Sequence, residues 1–163
     1  MVYLYICLIL IIALIIIGAQ LIRKYSKIYK RIISFRESFD LTGLPVITFN
    51  QGKNKYNFLF DTGATNSVIN SAVLNKIKHD VVEGAQCEVY GMEGSVQTAN
   101  FVTIELSRDM KFSDDFQAVD MSVAFDQVKA ETGVTIVGIL GNTFFQKYKY
   151  VIDYEQMVVY PKA

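Results

Sequence analysis

In the stretch FLFDTGATNSVI a carboxylate, Asp61, closes an apolar run and is followed at once by Thr62, Gly63 and Ala64. An acid carried to the edge of a core has its pKa raised by burial unless backbone N–H groups or a partner stabilise its charge. Gly63 lets the backbone fold tightly enough for amides to point at the carboxylate. Thr62 adds a compact hydroxyl that both donates and accepts at close range. The chemistry on offer is general acid–base work by a poised carboxyl group. Taken alone, Asp-Thr-Gly is also an ordinary turn.

The remaining inventory excludes much else. His79 is the one histidine, and its surroundings, KIKHDV, carry no triad or zinc motif. No spacing signature joins it to Cys87, and it reads as a loop residue. No GxxxxGK phosphate cradle occurs, so nucleotide hydrolysis lacks its loop. No metal and no cofactor are expected.

The elements that must position Asp61 are mostly strands. VITFN and YNFLF are β-rich runs joined by a polar loop, QGKNK. NSAVLNKI suggests a helical turn. CEVY and SVQTANFVTIEL form strands around GMEG, whose glycines suit a hairpin tip. A strand is expected over 114–120, a short helix over AFDQVKAET ending at Gly133, and a buried strand over VTIVGIL. NTFFQKYKY starts a helix with Asn142 or Thr143 as cap, and YVIDYEQMVVY closes the chain as a hairpin with Asp153 as its turn acid.

Ahead of this domain the composition changes. From Val2 to Ala19 no side chain is charged or strongly polar, and Leu21 and Ile22 extend the run. That matches the roughly 20 residues needed to cross a bilayer. No basic residue precedes the run and no small-x-small cleavage site follows, which favours a retained anchor over a signal peptide. Arg23, Lys24, Lys27, Lys30, Arg31 and Arg36 follow directly, whereas every acid lies beyond Arg36. The basic flank predicts a cytoplasmic domain and contact with anionic lipid. The alternative is a merely solvated linker. Nothing suggests nucleic acid, because the domain behind the basic cluster is acidic. Cys7 lies in the span and Cys87 is alone in the domain, in keeping with a reducing compartment. The expected organisation is 1–22 a transmembrane anchor, 23–43 a basic juxtamembrane helix or linker continuing to about Phe39, and 44–163 the domain, with LTGLP at the boundary.

Wider patterns carry a resemblance. PVITFNQGKNKYNFLFDTGATNSVI resembles the opening of a retropepsin-like aspartic protease, in which two strands lead into Asp-Thr-Gly-Ala and a Ser or Thr, here Ser67, stands three places after the Ala. IVGILGNTFFQKYKYVIDYEQMVVY is similar to that family's second signature, two apolar residues and a glycine before a short helix. VYGMEGSV is similar to its flap hairpin. The terminal hairpin looks more like the cellular and bacterial single-domain members than the viral ones.

The resemblance implies an all-β, closed barrel-like lobe with a flap hairpin and one or two short helices. It implies Asp61 as the catalytic residue, supported by Thr62, Gly63, Ala64 and Asn142, with Gly91, Met92, Glu93 and Gly94 as the flap tip over substrate. The family's mechanism needs two carboxylates sharing one proton, and this chain has a single Asp-Thr-Gly. A homodimer is therefore implied, with the two Asp61 side chains on a two-fold axis, Thr62 bonding across it, and a peptide or protein as substrate. Many viral members place an acid at the position of Thr65 and an Arg at that of Asn142, as an ion pair. Here both are neutral, and a hydrogen bond between them is expected instead. The rival readings are a non-catalytic peptide-binding or dimerisation module of the same fold, and a structural membrane adaptor.

Overall fold

The computed structural model describes residues 2–29, 31–90, 96–108 and 110–162. It divides into two compact units, Met1–Ile32 and Ile33–Lys162.

The first unit is one helix, α1 (Val2–Tyr29). At 1.5 Å per residue it is about 42 Å long. Within it Ile9–Ser26 is long and apolar enough to cross a membrane, and none of that window is buried. Ile9, Leu14, Ile15 and Ile22 all lie outward. The core helix of a soluble domain would hide at least one face. The helix ends at Tyr29 instead of continuing to Phe39. The reason is visible in Ile33 and Phe35, both buried, flanking exposed Ser34. That is the two-residue period of a strand.

The second unit begins at that strand, Ile33, ahead of the glycine-proline break. In chain order its elements are β1 (Ile33–Ser34), α2 (Arg36–Thr42), β2 (Val46–Gln51), β3 (Asn54–Phe60), β4 (Val68–Asn70), a 3₁₀ turn (Ser71–Val73), β5 (Asp80–Tyr90), β6 (Val96–Ser107), β7 (Lys111–Val119), α3 (Ser122–Thr132), β8 (Gly138–Leu140), α4 (Asn142–Tyr148), β9 (Tyr150–Asp153) and β10 (Val158–Pro161). The unit is mainly β with short helices. Gly43 ends α2 in the left-handed conformation (φ 69°), its N–H donating to the Phe39 carbonyl.

Seven strands form one sheet in the order β2-β3-β8-β4-β7-β6-β5. A further pairing of Asn50 with Ser107 brings β2 back to β6 and bends the sheet toward a closed barrel. The β2–β3 hairpin turns at Gly52, φ 62°, so its loop is shorter than the five polar residues suggest. β5 starts at Asp80, well before CEVY, and its pairing with β6 is irregular between Val81 and Gln86. Only Gly138–Leu140 of VTIVGIL joins the sheet. Upstream, Val137 instead donates to the Asn57 carbonyl and accepts from the Asn70 N–H. A smaller sheet, β1-β10-β9, pairs Ile33 with Val159. Asp153 does turn the β9–β10 hairpin, accepting the Gln156 N–H at 2.9 Å.

Aromatic rings fill the core. Phe49 is fully buried, edge-on to Phe58, Phe112 and Phe144 and stacked on Phe60. Each such pair contributes about 0.5–1.5 kcal/mol beyond its buried area. The core therefore fixes β3, and with it the point where that strand delivers Asp61.

Candidate active site

The site is assembled where β3 and β8 end side by side. They run parallel, Phe58 opposite Gly138 and Phe60 opposite Leu140. Phe58 and Phe60 face the core, so the next residue, Asp61, leaves the strand at the boundary. Its N–H donates to the Leu140 carbonyl at 3.1 Å, the last bond before the chain turns.

The turn is closed on the Asp61 side chain. The Gly63 N–H donates to Asp61 Oδ1 at 2.8 Å, as the tripeptide suggests. A Cβ on Gly63 would stand 3.1 Å from that same oxygen, so a side chain would crowd the carboxylate it binds. Asp61 is half-buried, while Thr62 and Gly63 are exposed. The carboxylate is thus held by a backbone amide and open on one side.

From beneath, the β8–α4 junction clamps the turn. The Asn142 N–H donates to the Ala64 carbonyl at 2.9 Å and the Thr143 N–H to the Thr65 carbonyl at 3.1 Å. Asn142 Nδ2 donates to the Thr62 carbonyl at 2.8 Å. The amide of Asn142 therefore secures the turn's backbone, in place of the expected bond to Thr65. Nor does Asn142 or Thr143 cap α4: the N-cap is Gly141, whose side is too crowded for any side chain. A Cβ on Gly141 would lie 2.5 Å from the Asn66 oxygen and 2.8 Å from the Ala64 oxygen. One on Gly138 would lie 2.5 Å from the Val68 oxygen. These two glycines are required by close approach of backbones.

Asp61, Thr62, Gly63, Ala64 and Asn142 thus come together. Gly91, Met92, Glu93 and Gly94 lie outside the described residues, but β5 and β6 pair antiparallel up to Tyr90 and Val96 on either side. Cys87 and His79 are engaged separately. Cys87 Sγ accepts from Gln117 Nε2 at 3.1 Å, and His79 Nδ1 lies 2.9 Å from the Ile77 carbonyl. His79 lines a groove of about 520 Å³ with Gln51, Lys78, Glu105 and Lys111, and Asp61 is not in its wall.

The partner of Ser67 escaped sequence reasoning. Ser67 is fully buried, and its hydroxyl donates to Asp114 Oδ2 at 2.9 Å while accepting the Gly141 N–H at 3.3 Å. Asp114 is itself buried, with Lys147 Nζ at 3.5 Å from its other oxygen. Burial pushes the Asp114 pKa above the ordinary carboxylate value, against the lowering effects of the Ser67 hydrogen bond and the Lys147 charge. The available signal was phase: Phe112, Asp114 and Phe116 occupy one face of β7, and that face is the core.

Residues 46–144, more than half of the chain, match the family model described as aspartyl protease. No curated protein matches the chain significantly. Among solved structures, the crystal structure of a retropepsin-like aspartic protease from Rickettsia conorii is similar at 17% identity, over 81% of this chain and 91% of that one, with a TM-score of 0.48.

Proposed function

Because the chain belongs to the aspartyl protease family, we propose that it is a membrane-anchored aspartic endopeptidase, active as a homodimer in which two Asp61 carboxylates share one proton. The observation that carries this reading is the Asp61 turn: a carboxylate bound by the Gly63 amide, clamped from behind by Asn142, and open on its outer side. A single Asp-Thr-Gly supplies half of the two-carboxylate machinery, and a two-fold axis beside Asp61 supplies the rest.

In that dimer one ionised Asp61 takes a proton from a water held between the pair, and the water attacks the peptide carbonyl. The other Asp61, protonated, donates to the carbonyl oxygen as charge builds on it. The proton ends on the leaving amine, with the dyad reset to one shared proton. No cofactor takes part. Thr62 of each chain bonds across the axis and Ala64 packs beneath. Gly91, Met92, Glu93 and Gly94 close over an extended peptide, which receives strand-like hydrogen bonds from both chains. The apolar part of helix α1 anchors the chain once, and the basic residues from Arg23 to Arg36, in its last turns and beyond, hold the domain at the cytoplasmic face. Confinement to the membrane raises the effective concentration of the two half-sites.

The test is cleavage of a peptide library by the full chain in detergent, with Asp61→Asn as reference. Turnover by the wild type alone is expected, with a bell-shaped pH profile belonging to the pair. Equal cutting by both proteins, or none by a dimeric wild type at any pH, would leave a binding module of the same fold as the better description.

A further inference from the structure

We propose that Asp114 is a positioning residue for the Asp61 turn, acting through Ser67 and Gly141; this rests on the protease reading given above. Asp114 is 7% exposed and Ser67 is 0% exposed, so their 2.9 Å bond is shielded from water. A buried hydroxyl donates once, and giving its hydrogen to the carboxylate leaves a lone pair to accept the Gly141 N–H. An ionised acceptor fixes that direction more firmly than a neutral one.

Gly141 is the pivot of the clamp. The residue before it accepts the Asp61 N–H, and the residue after it donates to Thr62 and Ala64. The Gly141 carbonyl in turn accepts the Phe145 N–H at the start of α4. Ser67 also ties back to β7 through its carbonyl, which accepts the Gln117 N–H at 2.9 Å. The carboxylate thus sits two hydrogen bonds behind the segment that holds the catalytic turn.

Its surroundings are accounted for on every side. Lys147 approaches from α4 and Asp115 stands next on β7. Opposite on β6 is Ile104, fully buried and apolar. The Tyr148 hydroxyl lies against the main chain of Ser113. Removing Asp114 alone leaves the fully buried Ser67 hydroxyl without its acceptor, so stability falls as well, and the positioning role is read from the Gly141 resonance and from turnover against the Asp114→Asn variant.

The experiment uses the full chain in detergent with ¹⁵N-glycine, which labels 10 residues and keeps the Gly141 amide resolvable. In the wild type that resonance moves through one acid titration step. Asp61→Asn retains the step, whereas Asp114→Asn and Ser67→Ala abolish it. Where turnover is measured, Asp114→Leu lowers kcat about tenfold. KM stays within about twofold of wild type, and the kcat is compared at a temperature where both proteins are folded. Asp114→Asn, which keeps an acceptor for Ser67, recovers most of that kcat. A Gly141 resonance indifferent to pH in the wild type, a loss of the step in Asp61→Asn, or an unchanged kcat in Asp114→Leu would overturn the assignment. An inactive wild type defeats the protease reading, and the resonance titration still decides this one.

Discussion

Replacing Gly141 by alanine isolates how much the clamp behind Asp61 depends on contact between backbones. Gly141 has φ −98° and ψ −170°, a conformation open to any residue, so no backbone strain enters. The obstacle is contact alone. The new Cβ would meet the Asn66 oxygen at 2.5 Å, the Asn66 carbonyl carbon at 2.7 Å and the Ala64 oxygen at 2.8 Å, all main-chain atoms of the turn. Relief needs a separation of roughly 1 Å, and overpacking of this kind costs about 1–3 kcal/mol. The same movement stretches the Asn142–Ala64 bond of 2.9 Å and the Gly141–Ser67 bond of 3.3 Å past useful length. At about 1 kcal/mol each, their loss brings the total to roughly 3–5 kcal/mol. The thermal midpoint should fall by roughly 10–20 °C. It can be followed by near-ultraviolet circular dichroism from the tyrosines, since the chain has no tryptophan. The control is Gly52→Ala, where φ is +62° and nothing lies within 4 Å. There only the left-handed conformation opposes the methyl, at about 1–2 kcal/mol, and activity should persist. A Gly141→Ala protein no less stable than Gly52→Ala, or one that folds and keeps full kcat, would refute the reasoning.

Other perturbations bear on neighbouring parts. Asn142→Ala removes the bond to the Thr62 carbonyl and should cost about 1 kcal/mol of stability, with a several-fold fall in kcat/KM measured on peptide substrate. Phe49→Ala empties the centre of the ring cluster and should cost about 3–5 kcal/mol in denaturant unfolding. Asp114 gives a pH dependence of defined sign. Its folded pKa is raised, so its contribution to stability is full below the ordinary carboxylate pKa and is lost as pH rises through the folded value. Asp114→Asn should therefore match or exceed wild-type stability at neutral pH, and the difference should shift toward the wild type in acid.

Local pattern made half of this legible before any coordinates. DTGA follows an alternating strand, and the order of strand, turn and second glycine segment is enough to expect that these parts meet. What stayed hidden depends on partners far along the chain. Ile33 and Phe35 read equally as a helical stripe among basic residues, and only pairing with Val159 makes Ile33 a strand residue of the domain. Asn142 looks like a helix cap until Gly141 is pressed against Ala64 and Asn66. The Ser67–Asp114 bond spans 47 positions and joins the Ser of the opening motif to an acid that no motif marks. Asp114 shares the inward face of β7 with Phe112 and Phe116, and what it meets there is set by the parallel pairing of β4 with β7.

The central claim is that one chain carries half a catalytic site, and subunit mixing tests it most directly. Wild type and Asp61→Asn are combined in equal amounts, allowed to exchange in detergent, and assayed at fixed total protein. If both Asp61 carboxylates are required, only wild-type pairs cut, and activity should fall to about a quarter of the all-wild-type value. Activity of about a half would mean that each chain works alone, and would contradict the account.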